Sequence, residues 1–153
     1  MVWVGLSANG ETEPIFIEPG AKINSSYYIE KVLKPFIQCS KKLYHDGNFV
    51  FHQDSAPSHS SKLTQKILQD NNISYITPEK WLPNSPDVAP WDYFLWGYLK
   101  KKISTRNLNN LSSLKKAIGE DLKKLDLEMI HRALRPWPKR LRKVYHAKGH
   151  NIE

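Results

Sequence analysis

Residues 49–76 hold two short apolar segments on either side of a segment with helical character, and this order limits the folds open to the chain. FVFHQ (49–53) is apolar and rich in strand-forming residues, which predicts a short, largely buried strand. Ser58 can cap a helix over 58–71, and ISYI (73–76) predicts a further strand. A strand, a helix and a second strand in this order are typical of a mixed α/β sheet.

A β-hairpin is predicted at the start of the chain. VWVGLSA (2–8) and PIFIE (14–18) have strand character, and the Asn9-Gly10 pair between them is a strong signal for a two-residue turn. Pro19-Gly20 closes this unit. The hairpin would add two strands to the sheet.

A helix is predicted to follow the hairpin, with Asn24 or Ser25 as its cap. Pro35 lies inside its pattern and predicts a kink or a shorter helix. Apolar residues recur at helical spacing and predict a buried face made of Tyr28, Val32, Leu33 and Phe36.

The second half of the chain is predicted to be helical after a loop rich in proline. Four prolines fall within 77–90, a density that excludes regular structure. A helix begins near Trp91, and the segment 104–111 predicts a flexible break. We therefore divide the domain into a sheet-containing part, 1–103, and a basic helical part, 104–153. The later helices are predicted at 112–124 (capped by Ser112 or Ser113), 127–135 (capped by Asp126) and 137–147.

Composition predicts a soluble, intracellular, globular protein. Hydrophobic residues make up 40% of the chain, and its one cysteine, Cys39, cannot form an internal disulfide. No apolar stretch approaches the roughly 18 residues of a membrane span. The first residues lack the basic segment of a signal peptide.

Charge is distributed unevenly along the chain. Residues 1–99 carry 8 Lys and Arg against 10 Asp and Glu, whereas residues 100–153 carry 15 against 5. A basic part of this kind predicts a polyanionic partner, most simply nucleic acid. An acidic protein, a membrane surface or a solvated helical face stays open as an alternative. The candidate phosphate contacts are Lys100, Lys101, Lys102, Lys139, Arg140, Arg142 and Lys143.

Two aspartates are candidates for a metal site. Asp54 follows the strand at 49–53, at the kind of sheet edge where catalytic groups gather. Asp92 lies in the first turn of a helix, and 37 residues separate the two. Paired carboxylates are compatible with Mg²⁺ or Mn²⁺ between them. The plainer alternative is that Asp54 caps a helix and Asp92 favours a helix dipole.

Other residues carry weaker signals. His52 and His59 flank Asp54, but neither belongs to a Cys pair or an HxxxH motif, and the next histidine is His131, which disfavours zinc. Trp91 or Trp96 could stack on a base, although packing in the core is the simpler role for aromatic residues on a helix. For Phe94, Leu95 and Tyr98 we expect core packing.

At QDSAPSHSS and LPNSPDVAPWDYFLWGYLKKKI the sequence resembles the catalytic domain of mariner-type DNA transposases. The resemblance covers nearly the whole chain, and the spacing of Asp54 and Asp92 is similar to that of the maT-type branch. The further matching segments are VW-G-S near the start, IEPGAKINSSYY, and the ending WPKRLRKVYHAKGHNIE.

The resemblance implies an RNase H-like fold of the DDE transposase and integrase type, in which three acidic residues hold two Mg²⁺ or Mn²⁺ ions for cut-and-paste phosphoryl transfer. Asp54 matches the second acid and Asp92 the third. Asp87 matches the SPD turn, which is not a ligand. The implied partners are transposon-end and target DNA and another transposase chain, in the nucleus and without a membrane.

One part of the family pattern has no match in this chain. The family's first acid lies on a strand before the hairpin, and here no carboxylate precedes Glu11. We therefore expect a truncated reading frame that lacks the first strand of the RNase H-like fold and the helix-turn-helix region. Without that strand, the hairpin and the strand at 49–53 would present unpaired edges. We expect such a chain to be inactive in strand transfer and marginally stable.

Three hypotheses about function follow. The chain is a transposase catalytic domain, and then Asp54 and Asp92 bind Mg²⁺ or Mn²⁺. Alternatively, it is a non-enzymatic relic that binds DNA or an intact transposase, independently of both aspartates. A third possibility is an unrelated α/β protein whose basic helices prefer RNA.

Overall fold

A computed structural model describes residues 1–80 and 88–147 of the chain. The chain forms two compact units, each described by itself. The partition predicted from the sequence, 1–103 and 104–153, is not tested by this division and stays a prediction. Unit 1 comprises Met1–Gly5 and Pro14–Pro83, and unit 2 comprises Leu6–Glu13 and Asn84–Glu153.

The predicted hairpin is present as two short antiparallel ladders. In unit 1, β1 (Val2–Trp3) pairs with β4 (Ile15–Phe16), and in unit 2, β2 (Leu6–Ser7) pairs with β3 (Gly10–Glu11). The turn lies one residue earlier than predicted, at positions 8 and 9, because Ser7 and Gly10 are register partners. At Gly10 φ is 127°, a conformation that favours glycine.

The first helical segment of unit 1 begins where the sequence predicts. Asn24 caps it, since its Oδ1 accepts a hydrogen bond of 2.9 Å from the amide of Tyr27. The helical segment does not end at Pro35 but changes its helix type just before it. A π-helical turn precedes Pro35, and a hydrogen bond from the Lys34 amide to the Ile29 carbonyl closes this turn. The elements are α1 (Ser25–Tyr28), the π-helical turn Ile29–Leu33 and α2 (Lys34–Leu43).

The core of unit 1 forms on the predicted face of this segment. Its four predicted residues, Tyr28, Val32, Leu33 and Phe36, are all buried. The ring of Phe36 stacks on that of Phe51, with centroids 4.2 Å apart, and meets the Trp3 indole edge-on at 5.8 Å. Aromatic contacts therefore join the helix, the hairpin base and the segment that leads to Asp54.

The segments 49–53 and 73–76 are shorter as strands than predicted. They meet in a single parallel bridge between Phe51 and Tyr75, whose bonds run from the Phe51 amide to the Ser74 carbonyl (2.7 Å) and from the Ile76 amide to the Phe51 carbonyl (3.0 Å). Val50 is 63% exposed, whereas Phe51 is buried. Because side chains alternate along extended backbone, the segment 49–53 is buried on one face, and the prediction that it is largely buried was wrong.

The helix predicted at 58–71 is divided in two. Ser61 has extended backbone (ψ 145°) and separates α3 (Pro57–Ser60) from α4 (Lys62–Asp70). The cap of the longer helix is therefore Ser61, whose Oγ accepts from the Thr64 amide at 3.2 Å, and the predicted cap Ser58 was wrong. Ser58 is buried, and its carbonyl accepts a 2.7 Å bond from the Thr64 hydroxyl.

Replacing Thr64 by Val should lower the free energy of unfolding by about 1–2 kcal/mol. Thr64 is fully buried, and at nearly constant volume the change removes the 2.7 Å bond to the Ser58 carbonyl, which keeps the longer bond from the Ser61 hydroxyl at 3.5 Å. Urea unfolding followed by circular dichroism measures the change. Thr105→Val is the matched control, because Thr105 makes a similar bond to the Lys102 carbonyl at an exposed position. Equal losses in the two variants would contradict the assigned role of Thr64.

Unit 2 is mainly helical, as predicted. Asp126 caps α7 as expected, but α6 is capped by Asn110 in a capping box with Ser113, so neither predicted cap was right for α6. In the described residues of both units, no helix has the length and apolar character that a membrane crossing needs. The elements of unit 2 after the hairpin are the π-helical turn Trp91–Leu95, α5 (Trp96–Ser104), α6 (Leu111–Leu122), α7 (Leu127–Leu134) and α8 (Trp137–Ala147).

Candidate active site and nucleic-acid surface

Asp54 lies in the turn between the bridge residue Phe51 and the start of α3. Its side chain is 73% exposed. Oδ1 accepts two hydrogen bonds, one from the Ala56 amide at 3.0 Å and one from Nδ1 of His59 at 2.6 Å. Pro57 then begins α3 with its fixed φ, which favours a helix start. The carboxylate therefore shapes its own turn and also has a side-chain partner on the next helix.

A second set of contacts lies behind Asp54 and holds its neighbours in place. The Tyr28 hydroxyl donates to Oε1 of Gln53 at 2.8 Å, and Nε2 of Gln53 donates to the backbone carbonyl of His59 at 3.1 Å. The rings of Tyr28 and His59 have centroids 4.2 Å apart. Because Tyr28 is 1% exposed, this network connects the Asp54 turn to the core of unit 1.

Electrostatics keep Asp54 ionised. The hydrogen bond from His59 holds the pKa of Asp54 below its ordinary value and, with the Ala56 amide, outweighs the opposing effect of burial. Burial lowers the pKa of His52 to about 4, although the Asp54 charge opposes this. Burial, and then the Asp54 charge, raises the pKa of Tyr28. At neutral pH the site therefore combines an ionised carboxylate with a neutral imidazole at His52 and a neutral phenol at Tyr28.

Asp92, the second predicted acidic residue, lies in unit 2. It occupies the first turn of the π-helical segment that follows Pro90, and its amide donates to the Ala89 carbonyl at 2.9 Å. Its side chain is exposed. The structure describes Asp54 and Asp92 in separate units, each by itself. Asp87 lies outside the described residues.

The residues around Asp54 offer one carboxylate ligand to a divalent cation. Within 1–80 and 88–147, no group of three or more His, Cys, Asp or Glu side chains could hold a metal ion. Asp54 by itself has the properties of a metal ligand, because its carboxylate is ionised and exposed. Both of its described hydrogen bonds end on Oδ1, and Oδ2 is the oxygen that a cation would meet. A carboxylate oxygen suits Mg²⁺ or Mn²⁺ better than zinc with its preference for nitrogen and sulfur.

The predicted nucleic-acid contacts fall on two helices of unit 2. Lys100, Lys101 and Lys102 are exposed on α5, and Nζ of Lys102 lies 5.8 Å from the centre of the Tyr98 ring. On α8 the exposed predicted contacts are Lys139, Arg142 and Lys143. These six side chains stay predicted phosphate contacts.

Arg140 differs from the other predicted contacts because it faces the protein. Its Cζ lies 4.2 Å from the centre of the Tyr93 ring, and the Tyr93 hydroxyl donates to the Ala133 carbonyl at 3.0 Å. Nε1 of Trp137 donates to the Val88 carbonyl at 2.8 Å. Trp137 and Arg140 thus anchor α8 within unit 2, while a contact of Arg140 with nucleic acid stays a prediction.

Sequence reasoning missed the partners of Asp54. Tyr28 was assigned to the core, His59 was weighed as a zinc ligand and was not paired with Asp54, and Gln53 was given no role. The pair formed by Asp54 and His59 had a usable signal: a histidine in the first turn of a helix that begins with Pro57, five residues after a carboxylate. No sequence signal indicates the contact of Tyr28 with Gln53, because the two residues are 25 positions apart.

The predicted RNase H-like fold is confirmed by similarity to solved transposase structures. The chain superposes on the catalytic domain of Mos1 mariner transposase with a TM-score of 0.83 and 24% identity, over 99% of this chain and 74% of that one. A Mos1 paired-end complex with the left transposon end gives a TM-score of 0.84 and 23% identity, over 99% of this chain and 44% of that one.

Sequence comparison finds the same class of protein. The chain is 24% identical to the mariner Mos1 transposase of Drosophila mauritiana over 141 residues, which cover 90% of this chain and 40% of that protein. It is 26% identical to the Tc1 transposase of Caenorhabditis elegans over 102 residues, which cover 67% of this chain and 36% of that protein. No family model matches the chain.

The resemblance to the catalytic domain of mariner-type transposases is therefore confirmed in sequence and in fold. The chain spans about two fifths of the length of the curated relatives it matches. The maT-like branch, which rested on the spacing of Asp54 and Asp92, stays a prediction.

Proposed function

We propose that this chain is the catalytic-core segment of a cut-and-paste DNA transposase of the mariner type. The observation that carries the proposal is Asp54: an ionised, exposed carboxylate directly after a bridged segment of an RNase H-like fold. Similarity to Mos1 and Tc1 transposases supports the same class of reaction. The proposal that the chain is a non-enzymatic relic has no support from these comparisons.

Asp54 and Asp92 are the proposed metal-ligating carboxylates. Solved structures of the Mos1 catalytic domain contain Mn or Mg, which supports a divalent cation here as well. Such ions, when bound, favour in-line displacement at phosphorus. In this chain, hydrogen bonds from His59 and the Ala56 amide keep Asp54 ionised. The turn before α3 determines where its carboxylate lies.

DNA and a second copy of the chain are the proposed partners. Mos1 structures include a complex with paired transposon ends and a strand transfer complex, which supports both partners by similarity. The exposed lysines and arginine of α5 and α8 would contact phosphates without reading base sequence. A DNA substrate of this kind also leads us to propose a nuclear location.

The 153 residues alone are proposed to be inactive in strand transfer. The family pattern assigns three acidic residues, and two of them match here, so we expect weaker metal binding than in a complete site. Cleavage of transposon-end DNA by the purified chain with Mg²⁺, lost on Asp54→Asn, would contradict this part of the proposal.

Metal binding tests the proposed site. We expect Asp54→Asn and Asp92→Asn each to weaken Mn²⁺ binding by about tenfold or more, because each removes a charged ligand. Isothermal titration calorimetry on the whole chain measures the affinity. Asp70→Asn is the matched control, since Asp70 is an exposed acid of unit 1 paired with Lys66 at 3.6 Å. Equal affinities in all four proteins would overturn the assignment of Asp54 and Asp92.

A further inference from the structure

We propose that His59 is a positioning residue for Asp54: its Nδ1–H fixes Oδ1 and thereby presents Oδ2 to a divalent cation. The inference rests on the proposed function, because it takes Asp54 as a metal ligand. It adds to that function a residue of this chain that contacts the ligand carboxylate and makes no contact with the metal itself.

The geometry gives His59 a fixed orientation. Its side chain is 16% exposed, whereas that of Asp54 is 73% exposed. The Tyr28 ring lies against the imidazole, and Gln53 donates to the backbone carbonyl of the same histidine. The more buried and better held partner therefore determines the position of the more exposed one.

The direction of the hydrogen bond follows from the charge of Asp54. An ionised carboxylate can only accept, so the shared proton belongs to Nδ1 of His59. The 2.6 Å separation is that of a charge-assisted bond. With Oδ1 engaged by His59 and the Ala56 amide, rotation of the carboxylate about its own axis is restricted, and Oδ2 becomes the oxygen offered outward.

The simpler alternative is that the histidine only stabilises the turn before α3. The Ala56 amide also contributes to that turn, since its bond to Oδ1 spans two residues. A role in the turn alone would change thermal stability and leave metal affinity untouched. A positioning role changes the side-chain rotamer of Asp54 and its affinity for metal.

Mn²⁺ titration of the whole chain by calorimetry distinguishes the two roles. We expect His59→Ala to weaken binding by about tenfold, since partners behind metal ligands typically contribute 10- to 100-fold in affinity. His59→Asn should stay within about threefold of the unchanged protein, because its side-chain amide retains a donor near the Nδ1 position. His45→Ala is the matched control, as it removes an exposed histidine of the same unit.

A second readout needs no metal. Three-bond couplings between the backbone amide nitrogen and Cγ of Asp54 report its χ1 rotamer by NMR. We expect one rotamer in the unchanged protein and in His59→Asn, and averaging over rotamers in His59→Ala. Circular dichroism confirms that each variant is folded.

The outcomes separate the two proposals. If Asp54→Asn weakens Mn²⁺ binding and His59→Ala does not, with the Asp54 rotamer unchanged, the positioning role is wrong and the metal site stands. If Asp54→Asn has no effect on binding, the proposed function fails, and the inference that His59 serves a metal site fails with it. Rotamer averaging and a tenfold loss in His59→Ala, rescued by His59→Asn, would support both.

Discussion

Replacing Arg106 by Met should lower the free energy of unfolding of the chain by about 3 kcal/mol. Arg106 lies between α5 and α6, and its Nη2 donates to Oδ1 of Asp121, whose side chain is fully buried. Oδ2 of Asp121 is buried and has no hydrogen-bond partner among the described residues. Without the guanidinium, the buried carboxylate of Asp121 keeps the ammonium of Lys124, at 3.5 Å, as its remaining positive partner. Loss of one partner of a buried ion pair is strongly destabilising, because the charge that stays buried is poorly compensated.

Urea unfolding followed by tryptophan fluorescence measures this effect, and two further variants test its cause. Glu120→Gln removes the other, exposed carboxylate that pairs with Arg106 and should change the free energy by less than about 0.5 kcal/mol. Asp121→Asn combined with Arg106→Met should recover part of the loss, because the double variant no longer buries a charge. If Arg106→Met lowers the free energy of unfolding by no more than Glu120→Gln does, the buried ion pair is no more stabilising than the exposed one.

The same ion pair marks a limit of prediction from sequence. The segment 104–111 predicts a break between helices, and the structure has one there, yet no local pattern indicates that Arg106 pairs with a residue of α6. Its partner Asp121 is 15 residues away, and a pairing at that distance depends on how α5 and α6 pack. Charged residues in a basic, polar segment are compatible with many such pairings.

Helix positions were predictable because capping and periodicity act within a turn or two. Asp126 at the start of α7 and the bounds of α8 followed from neighbouring residues alone. The predicted cap Ser58 was wrong for α4: Ser61 caps it, and the Thr64 hydroxyl bonds to the carbonyl of Ser58, a contact that needs the folded turn. Local signals find a helix more reliably than its first residue.

Strands and the site depended on distant contacts and were predicted less completely. The segment 49–53 was found, but its pairing reduces to one bridge with Tyr75, which no local pattern in that segment specifies. Asp54 and Asp92 were predicted as metal ligands from their positions after a strand and at a helix start, together with the family pattern, and this assignment stays a prediction. The contacts of Asp54 with His59, and of Gln53 with Tyr28, require the fold.

Neutralising the exposed face of α8 should reduce the salt dependence of DNA binding. In the triple variant Lys139→Gln, Arg142→Gln, Lys143→Gln we expect the slope of log affinity against log salt concentration to fall in magnitude by about 2.7, since each lost phosphate contact removes about 0.9. Arg140 stays in place because it packs on Tyr93. Fluorescence anisotropy with a short duplex over a range of salt concentrations measures the slope.

A control triple of equal charge distinguishes a binding face from net charge. Lys41, Lys42 and Lys62 are exposed on unit 1, and replacing them by Gln removes the same total charge. If α8 contacts the phosphates, the unit 1 triple keeps the slope of the unchanged protein, because lysines that make no phosphate contact release no counterions. Equal reductions in both triples would mean that DNA responds to the overall charge of the chain, and the assignment of α8 as a DNA-binding face would then be wrong.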